Sequence, residues 1–283
     1  MVGCSSFSFS ILIVSWNTKD LLLQCLFSIY ENFIGTEFEV IVVDNNSLDG
    51  SVEALSQRYA NFNNFYLVCN SLNKGFAEGN NQAFKLARFD NIVLLNPDTK
   101  LIDQGIIELV KNVRLNPKTG LVSCKLFNEN VLTQTIHRRL PNLVLSFFRY
   151  SRLGYLLDRF LFRFYFRRKY KYENIEFIGQ VIVEQPAAAV LVFRKELVLE
   201  LGYLFDKEFP IYGNDVDLSK RVLDLGYINF VDYNISIWHQ GSSSVSNFSN
   251  SIKQRMRREW IPRYFLKHYG KIPAFISRII LFV

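Results

Sequence analysis

Asp44, Asp98, Asp215 and His239 have side chains that can do chemistry, and each stands at an abrupt end or start of a regular element. Ile92–Leu95 stops in Asn96-Pro97-Asp98-Thr99, Val40–Val43 stops in Asp44-Asn45-Asn46-Ser47, and Ile235–Trp238 runs into His239. Proline cannot extend a ladder, so Asp98 is left at the exit of a buried strand. An Asn-Pro-Asp turn would explain that tetrapeptide taken alone. A lone histidine is more often a satisfied core or surface residue, but an imidazole such as that of His239, with a carboxylate and diphosphate oxygens, also makes a reasonable Mg²⁺ or Mn²⁺ shell. Gly213-Asn214-Asp215-Val216-Asp217 puts two acids in the first turn of a helix, where acids complement the macrodipole. Asp217 is spaced i, i+4 from Arg221 and reads as structural. Asp215 has no partner at that spacing.

The elements that must position these groups alternate. Phe9–Val14 is an apolar strand ended by Ser15-Trp16-Asn17-Thr18, and Leu22, Cys25, Leu26 and Ile29 then form one stripe of a helix. Val40–Val43 is followed by a helix from Ser51, with Val52, Leu55 and Tyr59 facing in. Phe65–Val68 is followed by the loop Asn70–Gly75 and a helix around Glu78–Arg88. Ile92–Leu95 is followed by a helix over Gln104–Asn116 and a strand near Gly120–Leu126. Such alternation predicts a parallel sheet with helices on both faces, and right-handed crossovers bring every strand exit to one edge. In open α/β sheets that edge holds the ligand.

Further on, Val181–Val183 and Ala187–Phe193 read as extended, with Glu184-Gln185-Pro186 between them. Glu196–Gly202 reads as a short helix. A helix from Asn214 to Gly226 should bury Leu218, Val222 and Leu225, followed by short strands at Ile228–Val231 and Ile235–Trp238. The tail from Lys253 reads as helical, broken at Pro262 and Pro273.

Composition excludes several classes. Neither Gly-x-Gly-x-x-Gly nor a Walker loop follows the first strand, so a nucleotide would be held by side chains and a metal. No run approaches about 18 uncharged apolar residues, which predicts neither a transmembrane helix nor a secretion signal. Cys4, Cys25, Cys69 and Cys124 are widely spaced and read as reduced, buried thiols. The net charge of +7 is concentrated: Arg138–Lys171 has ten Lys/Arg and one Asp, and Lys253–Val283 has eight and one Glu, leaving −9 for the rest. Both basic segments are also aromatic and aliphatic, as in Phe162-Arg163-Phe164-Tyr165-Phe166-Arg167-Arg168. That composition suits an anionic membrane surface, with a basic-faced core helix as the plain alternative, and no nucleic-acid partner is expected.

Taken in order, Ile11–Asn17, Val40–Ser47, Asn73-Lys74-Gly75-Phe76-Ala77-x-Gly79-Asn80, Leu95–Asp98, Asn214–Asp217 and His239-x-Gly241-x-Ser243 resemble the landmarks of family 2 glycosyltransferases, nearest the rhamnosyltransferase-like branch. The resemblance implies a GT-A fold, Rossmann-like with a mainly parallel central sheet and helices on both faces. It implies one glycosyltransferase domain over 1–252, with a basic aromatic insertion at about 138–172 and a basic amphipathic helical tail over 253–283. It also implies an inverting, metal-dependent hexosyltransferase that moves rhamnose or another hexose from a UDP- or dTDP-sugar to a membrane-associated glycan in cell-surface polysaccharide synthesis. Asp44 would contact the nucleoside beside Ser15, Asn17 and Asn46, while Lys74, Gly75, Asn80, Asn96 and Asp98 would line the donor site. Asp98 and His239 would hold Mg²⁺ or Mn²⁺, and Asp215 would be the general base. The expected setting is cytoplasmic, peripheral on the inner membrane face, with room for a homodimer. Asn214 departs from the glutamate usual before the catalytic aspartate, which motivates a rival: a catalytically inactive nucleotide-sugar or glycan binder on the same fold.

Overall fold

The computed structural model describes residues 7–130, 133–134, 137–173, 177–241 and 250–282. Its first half is the expected alternation: β1 (Phe9–Ser15), α1 (Lys19–Asn32), β2 (Phe38–Asp44), α2 (Ser51–Tyr59), β3 (Phe65–Cys69), α3 (Gly75–Leu86) and β4 (Asn91–Leu95). A two-residue strand β5 (Thr99–Lys100), α4 (Gly105–Leu115) and β6 (Thr119–Phe127) follow. The basic aromatic segment forms the short helices α5 (Leu143–Tyr150), α6 (Arg152–Phe160) and α7 (Tyr165–Tyr170). The remainder is β7 (Gln180–Ile182), β8 (Val190–Arg194), α8 (Lys195–Leu201), α9 (Asn214–Asp224), β9 (Ile228–His239), α10 (Asn250–Tyr269) and α11 (Lys271–Ile280).

Among the described residues the strands make one sheet in the order β3-β2-β1-β4-β8-β6-β9-β5, with β7 alongside β9. β1 to β4 are parallel, as are β6 and β9. The sheet is nevertheless mixed, because β8 runs antiparallel between β4 and β6, and β5 and β7 run antiparallel to β9. The pleat distributes the core. Ile11 and Ile13 of β1 and Val40 and Val42 of β2 join Leu22, Leu26 and Val110 on one face. Leu12, Ile41 and Val43 join Ala77, Leu197 and Leu218 on the other. Alternate residues of a strand point to opposite faces, so a fully apolar strand requires a helix layer on each side. Gly79 lets α3 rest directly on β1, since a Cβ there would lie 2.7 Å from Val14 Cγ1.

Several expectations are corrected. β9 is a single strand across both predicted ones, with a register shift in its pairing to β6 that absorbs the intervening residues. Ala187–Ala189 precede β8 instead of belonging to it. Leu225 is exposed, and Val216 takes its place in the buried stripe of α9. Pro262 does not break α10; the tail breaks at Gly270, while Pro273 sits in the first turn of α11 where its missing N–H costs nothing. Cys69 is exposed, unlike Cys25 and Cys124, and Cys4 lies outside the described residues. Trp260, Ile261, Tyr264 and Phe265 of α10 pack with Phe209 and Val216, so the tail covers α9.

Candidate active site

The exits of β1, β2, β4 and β9 and the starts of α3 and α9 meet at a cleft of about 440 Å³, within the usual range for small-ligand sites. Its lining includes Ser15, Asn96, Asp98, Gly213, Asp215 and His239. Gly75 also borders it, with φ at +83° and its carbonyl accepting from Asn45 Nδ2 at 3.1 Å.

The strand register brings Asp98 to His239. Thr99 of β5 pairs with His239 of β9, which sets Asp98 against the end of that strand. The Asp98 carbonyl accepts from Gln240 N at 3.0 Å and its Oδ2 from Gly241 N at 3.2 Å. Asp98 Oδ1 lies 3.5 Å from His239 Nε2, and both residues are buried.

The tautomer of His239 follows from Gln134. Gln134 Nε2 donates to the His239 carbonyl at 2.6 Å, so its Oε1, 2.9 Å from Nδ1, can only accept. Nδ1 therefore carries the proton, and in neutral imidazole Nε2 presents a bare lone pair to a carboxylate. That Nε2 is buried without a hydrogen-bond partner. Two facing acceptors need a cation between them, either a proton on Nε2 or a metal ion. Among the described residues no three His, Cys, Asp or Glu side chains converge as a metal cage. A divalent ion would therefore take these two ligands and complete its shell from a diphosphate, a donor set that suits Mg²⁺ or Mn²⁺.

Across the cleft, α9 begins at Gly213, whose φ of +86° favours glycine. A Cβ on Gly213 would lie 2.8 Å from Trp260. Asp215 Oδ2 accepts from Gln185 Nε2 at 2.8 Å and Oδ1 from Val216 N at 2.9 Å. Burial raises its pKa above the ordinary carboxylate value, outweighing the Gln185 bond, the backbone N–H groups and the Arg138 charge. The helix N-terminus favours ionisation, yet desolvation wins, which is the direction a general base needs. Asn214 is buried, with Nδ2 donating to the Ile211 carbonyl and Oδ1 accepting from Asp215 N at 2.7 Å. It orients the turn that carries Asp215.

The remaining residues singled out in the sequence divide. Ser15 is buried and shares a hydrogen bond with Thr18 Oγ1 at 2.9 Å. Asn17 ties two exits together: its Oδ1 accepts from Leu48 N at 2.8 Å and its N–H donates to Ser47 Oγ at 2.8 Å. Asp44 is buried behind them, with Oδ1 accepting from Ser47 N and Oδ2 unpartnered. Asn46 and Lys74 are exposed beyond the cleft wall, and Asn80 is buried in α3 with Nδ2 donating to Phe76 O at 2.9 Å. Ser243 lies outside the described residues. Gln134 and Gln185 were not foreseen. Each acts on a partner far away in sequence, and a lone glutamine in a loop carries no signal of that.

The mixed α/β sheet with helices on both faces and a cleft at its strand exits is the GT-A fold. Solved structures agree on the fold. A Pyrobaculum calidifontis mannosyltransferase, PcManGT, in complex with GDP-Man and Mn²⁺ superposes with a TM-score of 0.59 at 17% identity, covering 96% of this chain and 69% of that one. Staphylococcus aureus TarS 1–349 superposes with a TM-score of 0.56 at 14% identity, covering 97% and 78%. The profile of Glycosyl transferase family 2 matches residues 10–179, and the chain belongs to that family. The matched stretch contains Asp44 and Asp98 and ends before Asp215 and His239. Among curated relatives, the uncharacterised glycosyltransferase YfnE of Bacillus subtilis (strain 168) is 26% identical over 76% of this chain and 46% of its own length. A poly(ribitol-phosphate) beta-glucosyltransferase of Bacillus spizizenii is 28% identical over 35% of this chain and 16% of its own. The chain thus spans less than half the length of these relatives.

Proposed function

We propose that this chain transfers a hexose, rhamnose among the options, with inversion from a UDP- or dTDP-sugar to a membrane-associated glycan in cell-surface polysaccharide synthesis. The observation that carries this reading is the facing of the Asp98–His239 pair and Asp215 across one cleft. In such a transfer the acceptor hydroxyl attacks the anomeric carbon as the bond to the diphosphate breaks. Asp215 takes the hydroxyl proton, a contribution of typically 10²–10⁴-fold. A divalent cation held by Asp98 and His239 would neutralise the leaving diphosphate. Asp44, with Ser15, Asn17 and Asn46, would seat the nucleoside, while Lys74, Gly75 and Asn96 would edge the donor site and Asn80 would brace α3 behind it.

The membrane part of the proposal is supported by α6 and α11, which both pack on α5. Phe160, Leu161, Ile272, Phe275 and Phe282 are largely exposed there, near Arg159, Lys271 and Arg278. Among the described residues no helix is long and apolar enough to cross a membrane. Apolar side chains flanked by arginine and lysine suit the interface of an anionic leaflet on the cytoplasmic side. Nucleotide release from a panel of nucleotide-sugars, with and without acceptor lipid extract and Mn²⁺, tests the transfer. Release from none of them by well-folded protein would contradict it.

A further inference from the structure

Gln185 donates from Nε2 to Asp215 Oδ2 at 2.8 Å and is itself buried. Asp215, Ala187 and Ala188 line the cleft, whereas Gln185 stands behind that wall. Its amide therefore acts on the carboxylate and not on a ligand. The two ends of the amide are unequal. An ionised carboxylate only accepts, which fixes the N–H end on Asp215, while Oε1 is buried with no hydrogen-bond partner. A bare buried acceptor costs stability, and here it goes with keeping Nε2 on Asp215.

The segment that carries Gln185 is held on every side, although it lies between β7 and β8. Each N–H from Val183 to Ala187 is engaged, and Pro186 has none to satisfy. Val183 N donates to the Asn229 carbonyl at 3.0 Å, Glu184 N to Tyr172 Oη at 3.0 Å, Gln185 N to the Arg138 carbonyl at 3.0 Å and Ala187 N to His137 Nδ1 at 3.3 Å. The Gln185 carbonyl accepts from Arg138 N at 3.1 Å, and the Glu184 carboxylate accepts from Leu140 N at 2.7 Å and Arg139 Nη1 at 3.0 Å. Residues 137–140, where the chain enters the basic aromatic insertion, are thus the brace of this segment.

Asp232, a buried acid also held by amides, shows the purely structural arrangement. Its Oδ2 accepts from both Asn112 Nδ2 at 2.9 Å and Gln180 Nε2 at 3.2 Å, its Oδ1 accepts from Asn234 N at 3.0 Å, and it stands outside the cleft lining. Among the described residues Asp215 has one donor on each oxygen, Val216 N from its own helix and Gln185 from the facing segment. Two donors from two elements set the plane of a carboxylate and leave lone pairs for an incoming proton.

We propose that Gln185 is a positioning residue for the transfer: its amide fixes the Asp215 carboxylate toward the acceptor hydroxyl, and residues 137–140 brace it from behind. This rests on Asp215 as the base. Burial pushes the Asp215 carboxyl up, and the Gln185 donor opposes that together with backbone N–H groups and the Arg138 charge. Removing the amide should raise it further. Asp98 and His239 line the same cleft and, like Arg138, are unchanged in the variants compared.

The test pairs carboxyl ¹³C titration of aspartate-labelled full chain, with Asp215→Asn identifying the resonance, with transfer kinetics on the same proteins. Gln185→Met keeps length and bulk without a donor. It should move the Asp215 midpoint to higher pH and lower kcat about 10–100-fold with the donor KM unchanged. A merely structural glutamine would leave the midpoint in place, and an unchanged midpoint overturns the proposal. So does native kcat in Gln185→Met when Asp215→Asn abolishes transfer. Should Met disturb the fold, Gln185→Glu keeps the shape and removes the donor when ionised, and a midpoint that does not rise there is equally fatal. Native transfer by Asp215→Asn would instead strike the base reading, and the titration alone then decides whether Gln185 holds that carboxylate.

Discussion

The first turn of α9 carries two aspartates two residues apart, and the two sides of the helix treat them oppositely. On the cleft side Asp215 has one neutral side-chain donor, Gln185, and a pKa that burial raises. On the tail side Asp217 is fully buried yet bonded by Arg221 at 2.9 Å, Lys267 at 2.6 Å and His268 at 2.8 Å. Burial works against the Asp217 charge, but the His268 bond and the Arg221 and Lys267 charges hold its carboxyl below the usual carboxylate range. The lesson is that the partners around a carboxylate, and not its place on the helix, decide what it does: Asp217 is fully buried, while Asp215 is only partly covered and lines the cleft. A buried acid with cations on all sides fastens elements together, here α9 to α10, whereas one left with amide donors and an open face keeps its basicity for a ligand.

The largest expected effect breaks that comparison at Asp215. Asp215→Asn should lower transfer by about 10²–10⁴-fold or more with donor affinity retained, read by nucleotide release and calorimetry. Its denaturation midpoint should hold or rise, because a poorly solvated charge is removed. Asp217→Asn should do the reverse, costing about 3–5 kcal/mol by urea unfolding because Arg221 and Lys267 lose a buried partner. The sign with pH follows from the depressed folded pKa. The Asp217 contribution is complete above the unfolded value near about 4 and is lost as pH falls through the folded one, so wild type should lose this stability in acid and Asp217→Asn should not.

Smaller effects sharpen the contrast. Gln134→Leu removes the acceptor that fixes the His239 tautomer and should weaken metal-dependent donor binding about 10–100-fold without altering stability beyond the loss of one hydrogen bond. The acid limb of the transfer rate should lie at higher pH than an ordinary carboxylate would give, since Asp215 must be ionised to act and its pKa is raised. A limb at or below the ordinary value would mean that another group titrates. Gly213→Ala, at φ +86° against Trp260, should cost about 1 kcal/mol or more and lower turnover by displacing the start of α9.

The first half of the sheet was legible because parallel β/α units write themselves twice, once as apolar strands and once as helical stripes. Asp44 and Asp98 could be placed at one edge from strand polarity alone. What sequence could not supply was pairing at a distance. β8 returns antiparallel between β4 and β6, and an apolar run has no mark of direction. The continuous β9 was split because Asp232, Tyr233 and Asn234 look like a turn, whereas a register shift against β6 accommodates them. Pro262 looked like a break, but the aromatic packing of Trp260 and Tyr264 carries α10 through it. The direction of the Asp215 pKa shift was likewise hidden, since it depends on the walls of the cleft and not on the helix that bears it.

The central claim is that Asp98 and His239 share a divalent cation with a donor diphosphate opposite Asp215. Calorimetry of a UDP- or dTDP-sugar series with and without Mn²⁺, on wild type and on His239→Ala, tests it most directly. Binding in the wild type should be at least about tenfold tighter with Mn²⁺, and this gain should vanish in the variant. Donor binding that is indifferent to Mn²⁺ in the wild type, or a gain that survives loss of the imidazole, would contradict the account.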